Sequence, residues 1–186
     1  MNSTSYPSPG QNLIGLRQRH LDWLRRSGVN IQSLIFSRYH QPSAIQLGYG
    51  EVAPDGRFDF SEDGEAWLAF DIFDGFMEPV DIGFWQPRTG ELATSEGRTF
   101  ALGQEIVDDP ATYSFDCRLN IFADPLQWLQ ADRDGIVVVD WSLAFDRLRD
   151  VPRIAVDETL ILQYRRHMQP PKGPEVFVIA GRRVAA

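Results

Sequence analysis

Apolar side chains recur at helical spacing near the start of the chain and at alternate positions through its middle. Leu13, Leu16, Leu21 and Leu24 are followed by Gly28, which predicts a helix over residues 11–27 with Trp23 widening its apolar side. A second short helical turn is expected after Asn30, from Ile31 to Phe36, ahead of Pro42. From residue 43 to about 105 the period becomes two. AIQLGYGEV, RFDF, AWLAFDIF, VDIGFWQP, ELATSEG and TFALGQE read as strands, parted by turns such as Pro54-Asp55-Gly56 and Arg88-Thr89-Gly90. They predict an antiparallel meander of about five or six strands. Residues 106–118 are expected to form a loop, with Pro110 interrupting any regular element.

The last third alternates differently. LNIFA reads as a strand, and Asp124-Pro125 supplies an N-cap and a first-turn proline for a helix carrying Leu126, Trp128 and Leu129. GIVVVDW is a continuous apolar run, as in a strand covered on both faces. Ser142 can cap a helix with Leu143, Phe145 and Leu148 inward. Asp157-Glu158 open another, through Leu160, Ile161 and Tyr164, and EVFVIA closes the sheet. The fold class is therefore α+β: an N-terminal helix, the antiparallel meander, then a β-α-β-α-α-β segment with parallel pairing in a mixed sheet. Residues 1–10, rich in Ser, Pro and Asn, read as a disordered leader, and 11–186 as a single α+β domain.

Composition narrows the class. With 186 residues, 43% hydrophobic and 12% aromatic, the chain can bury a substantial core. Cys117 stands alone, which rules out an internal disulfide, and is expected to be a small buried or half-buried side chain. The apolar runs reach about five residues against the roughly 20 that span a bilayer. The polar start MNSTSYPSPG lacks a basic and then apolar leader, so no membrane role and a cytoplasmic location are expected.

Charge is sorted along the chain. Residues 41–163 hold 24 acids against 8 arginines, a net of −16, whereas residues 1–40 and 164–186 are each +4. Such a field selects partners whatever the fold beneath it. The seventeen arginines against the single Lys172 are spread throughout, as a coding bias would leave them.

One candidate site follows from strand register. If Leu68, Phe70 and Ile72 share a face with Val80, Ile82 and Phe84, residue 70 pairs with 82. Asp71 then faces Asp81, and Trp67 faces Trp85. Opposed carboxylates need a cation, a shared proton or full hydration, and magnesium or manganese on Asp71 and Asp81 would give a metal-dependent enzyme acting on phosphate esters or nucleic acid. Hydration of both aspartates, with Arg57 or Arg98 nearby, satisfies them equally. Trp67 and Trp85 could form a stacking face for a ligand. Asp124, Asp140 and the Gly181-Arg182-Arg183 group, at the ends of strands in the last third, could hold a metal-bound phosphate. Asp124 and Asp140 also suit helix caps, and Arg182 and Arg183 a loose tail. His20, His40 and His167 lack zinc-ligand spacing, and no nucleophile elbow, P-loop or Gly-x-Gly-x-x-Gly occurs.

The segment LQWLQADRDGIVVVDW, a leucine-tryptophan-leucine helix and Arg-x-Gly followed by an apolar strand, resembles a small uncharacterised protein family of bacterial prophages and integrative elements. FWQPRTGELAT and TFALG are similar in the same way, and the resemblance spans residues 43–145. It implies a setting in DNA replication or mobilisation and carries no reaction. The expectation is a non-catalytic accessory or interaction protein of a mobile element that binds a protein partner or a nucleic-acid complex through its charge-sorted surface. The metal-dependent enzyme is the alternative.

Overall fold

Six strands in the first half make one antiparallel sheet: β1 (Ile14–Gly15), β2 (Gln46–Val52), β3 (Phe58–Phe60), β4 (Glu65–Phe73), β5 (Pro79–Trp85) and β6 (Leu92–Thr94). The computed structural model describes residues 12–36, 44–76, 78–170 and 173. The predicted leader, the last strand EVFVIA and Arg182-Arg183 lie outside the described residues.

The sheet is not a simple meander. Its order is β1-β2-β4-β5-β6, with β3 beside β2 on the edge shared with β1. After the β2–β3 hairpin the chain therefore crosses β2 to reach its other edge. Two glycines permit that crossing. A Cβ on Gly64 would lie 2.5 Å from the Gly50 Cα, and one on Gly50 would lie 2.1 Å from the Asp59 carbonyl oxygen. A bridge between Arg57 and Thr94 then joins the start of β3 to β6, so the sheet curls round on itself.

Curling explains why both faces are apolar. Phe58, Trp67, Ala69, Ile82, Phe84 and Ala93 pack together on the concave side, with the Phe58 and Phe84 rings stacked at 3.7 Å. Leu47, Leu68, Phe70, Ile72 and Trp85 cover the other side. Against that outer face pack Leu24 of α1 (Gln18–Arg26) and Trp128 and Leu129 of α2 (Pro125–Gln130).

The remaining strands are short. β7 (Ala101–Leu102) leaves the meander and pairs antiparallel with β9 (Val137–Val138). β8 (Leu119–Ile121) pairs in parallel with β10 (Ile154–Val156), and a parallel bridge links Ile121 to Ile136. Of the parallel pairing expected between LNIFA and GIVVVDW, the Ile121–Ile136 bridge is present; β8 pairs instead with β10, which lies between α3 (Ala144–Leu148) and α4 (Ile161–His167), where the patterning predicted no strand. Phe100, Ile106, Leu119, Ile121, Ile136 and Leu148 form a further core there. The N-terminal helix begins at Gln18 instead of residue 11, because Ile14 and Gly15 pair with β2. Among the described residues no helix is long and apolar enough to cross a membrane.

Candidate functional site

The β4–β5 ladder corrects the expected register by one residue. Asp71 pairs with Ile82, Ile72 with Asp81, and Leu68 with Trp85. The premise behind the expected register was a single apolar face; with both faces buried, the one-residue slip exposes neither apolar row. Trp67 and Trp85 consequently point to opposite sides of the sheet, each under 5% exposed, and do not form a stacking face.

Asp71 and Asp81 still border one cleft of about 460 Å³, together with Glu96 and Arg98. Their surroundings differ. Asp81 is buried, and both its carboxylate oxygens are engaged. Oδ1 accepts from the backbone N–H groups of Ile82 (2.8 Å) and Glu96 (2.9 Å). Oδ2 accepts from the Arg98 N–H (3.0 Å) and the Thr99 hydroxyl (3.2 Å). Asp81 thus fastens the 96–99 loop to β5, a use of charge-assisted hydrogen bonds that leaves little of the carboxylate for a metal. Among the described residues no three His, Cys, Asp or Glu side chains converge as a metal site.

Asp71 belongs to a different electrostatic group. Burial pushes its carboxyl above the ordinary value, and the Arg133 guanidinium pulls part of that shift back. Glu105 is raised by burial too, opposed by its own backbone N–H and by Arg133. Arg133 is buried, and desolvation brings it down to about 10 against the attraction of Glu105 and Asp71. The guanidinium lies 5.6 Å from the centre of the Trp128 ring, and the Trp128 indole N–H donates to the Gly135 carbonyl (2.8 Å). Sequence reasoning missed Arg133 and Glu105; the turn residues Asp132 to Gly135 gave a signal for a tight bend and none for a buried cation.

The second candidate set resolves into caps. The Asp124 carboxylate accepts from the Gln127 N–H (2.9 Å) at the start of α2. Asp140 accepts from the Ser142 N–H (2.8 Å) and hydroxyl (2.6 Å), so Asp140, and not Ser142, caps the turn leading into α3. Leu143, expected inward, is exposed. Cys117 is exposed rather than buried.

Two further clefts stand out. One, about 420 Å³, lies where residues 107–113 meet α3 and the turn after it, and its wall carries Asp108, Asp146, Asp150, Arg147 and Tyr113. Arg149 approaches Asp146 (3.8 Å) and Asp150 (3.4 Å) at the surface. The Tyr113 hydroxyl donates to the Val107 carbonyl (2.6 Å) and is held above its ordinary value by burial, then by Asp108 and Asp109. The other, about 300 Å³, lies between α1 and the outer face of the sheet, with Trp23, Leu47, Ala66 and Leu68 as apolar walls and His20 and Arg88 at its margin. Burial, then Arg19 and Arg17, lowers the His20 pKa, and Arg88 at the margin pairs with Glu65.

Compared with known proteins, the chain matches no protein-family model, no curated protein and no solved structure.

Proposed function

We propose that this chain is a non-catalytic interaction protein that binds a basic protein partner, alone or within a nucleic-acid complex, through its acidic surface. The observation that carries this reading is the cleft whose wall carries Asp108, Asp146 and Asp150 against Arg147, set within the stretch of net charge −16. Its arginine contacts are exposed ion pairs, worth about 0–1 kcal/mol each, and an incoming basic side chain can replace them. A nucleic-acid backbone approaching this face would be repelled. The placement on a bacterial mobile element, and with it the cytoplasm, rests on the resemblance over residues 43–145. Magnesium or manganese chemistry would require Asp71 and Asp81 to act together, and Asp81 is already bonded four times.

The test is a titration with an arginine-rich peptide at low and moderate salt. Affinity is expected to fall by about tenfold as salt rises, because exposed charges are screened. The variant D108N/D146N/D150N is expected to bind about tenfold more weakly, while E51Q/D59N/E62Q, with the same charge change elsewhere, stays close to wild type. Equal losses in both variants, or indifference to salt, would refute the cleft as the binding site.

A further inference from the structure

The first helix presents arginine to water without the acids that accompany arginine elsewhere. Arg57, Arg88, Arg98, Arg149 and Arg153 each pair with a carboxylate. Arg17, Arg19, Arg25 and Arg26 are all exposed, and among the described residues no carboxylate pairs with any of them. The one acid of α1, Asp22, accepts from the Gln18 amide (2.8 Å), and at the adjoining cleft Arg88 takes up Glu65. Residues 12–30 therefore set four arginines against Asp22, a net of +3, within a chain of net charge −8.

Two of these arginines are held in place. Arg19 donates from Nε to His20 Nε2 (3.2 Å), and Arg26 donates from Nε to the Asp22 carbonyl (3.2 Å). No described partner takes the terminal N–H groups of either, so each offers a guanidinium fork that loses little freedom on meeting an oxyanion. Seven residues separate them, which places both on one face of the helix, about 10.5 Å apart along its axis. The exposed positions of α1 are Gln18, Arg19, Asp22, Arg25 and Arg26, all polar, because Leu21, Trp23 and Leu24 pack against the sheet. Protein interfaces are built round an apolar or aromatic centre, and a membrane surface takes up an apolar helix face; this face has neither. A phosphate backbone asks only for positioned cations. Phosphates of one duplex strand rise about 3.4 Å per step, so Arg19 and Arg26 match phosphates about three steps apart.

We propose that the exposed face of α1 binds the phosphate backbone of a nucleic-acid duplex, without sequence preference, through Arg19 and Arg26, with Arg17 and Arg25 adding charge at its flanks. The acidic remainder of the chain keeps the contact weak and confines it to this face. Helix α1 packs on the outer face of the first sheet, whereas the acidic cleft lies between residues 107–113 and α3. The two surfaces are therefore independent, and the loss of either reading leaves the other standing.

Fluorescence anisotropy of a short labelled DNA duplex, titrated with the full chain, tests it. Wild type is expected to bind at about 50 mM salt and to lose about 40-fold in affinity by about 200 mM, a slope of log affinity on log salt of about −3. R19Q/R26Q removes two phosphate contacts from exposed positions, so the slope should fall to about −1 and the low-salt affinity about tenfold. R165Q/R166Q makes the same change of net charge at exposed positions of α4 and should keep the wild-type slope, with an affinity within about twofold. Polyglutamate and anionic lipid vesicles should bind about tenfold more weakly than the duplex or not at all. No duplex binding at low salt, an unchanged slope in R19Q/R26Q, equal losses in the two variants, or polyglutamate or vesicles bound as tightly as the duplex would each overturn the proposal.

Discussion

Asp71 and Asp81 sit on adjacent strands and border the same cleft, yet their surroundings assign them different work. Asp81 has four donors in place and acts as a loop anchor. Asp71 and Glu105 are acids for which burial outweighs the pull of Arg133, so their folded pKa values lie above their unfolded ones. The sign follows by linkage: their contribution to stability is fully present below the ordinary carboxylate range, near about 4, and is lost as pH rises through the folded values. Asp71→Asn and Glu105→Gln are therefore expected to leave the melting temperature at pH 7 unchanged or raised, and to flatten its decline from acid to neutral pH. Thermal unfolding across that pH range checks this; a marked loss of stability at pH 7 in either variant would show that Arg133 depends on the charge more than burial opposes it. These two acids were not equally legible. Asp71 stood out by its place in an apolar strand, whereas the burial of Glu105 and Arg133 comes from contacts between β4, the turn at 104–106 and the turn after α2, which no local pattern encodes.

At the level of elements, patterning located most strands within a few residues and failed on how they connect. The period-two stretches at 46–52, 58–60, 65–73, 79–85 and 92–94 are all strands. What patterning could not show is that the chain crosses β2 between β3 and β4, or that the sheet curls until Arg57 meets Thr94. That curl buries the concave side, and burying both sides removed the criterion by which register had been chosen. The one-residue slip, and with it the opposed aspartates, follows from that single topological fact. The crossing itself is testable. Gly64→Ala sets a methyl group 2.5 Å from the backbone of Gly50, where no flexible side chain can give way. A loss of about 3 kcal/mol or more is expected in denaturant unfolding, since overpacking against backbone forces the strands apart. A loss below about 1 kcal/mol would mean that the two strands do not approach so closely.

For the whole molecule, the charge stays sorted although Arg57, Arg88, Arg98, Arg149 and Arg153 pair with nearby acids, because residues 41–163 hold 24 acids against 8 arginines. Basic α1 lies at one cleft, three acids and Arg147 line another, buried Asp81 anchors a loop, half-buried Asp124 and Asp140 cap helical turns, and Asp71 and Glu105 feel the Arg133 charge. The central claim is that the conspicuous aspartates are architecture, and that function lies in surfaces that meet other chains. Thermal unfolding of wild type, Asp71→Asn and Asp81→Asn, each with and without magnesium or manganese, tests that claim most directly. Asp81→Asn turns an amide toward the Arg98 N–H and the Thr99 hydroxyl and is expected to cost about 2–3 kcal/mol with or without metal. Wild type and Asp71→Asn should show no metal-dependent shift. A melting temperature that rises with either metal in wild type and not in Asp71→Asn would contradict the account, because binding to the folded state must stabilise it by mass action.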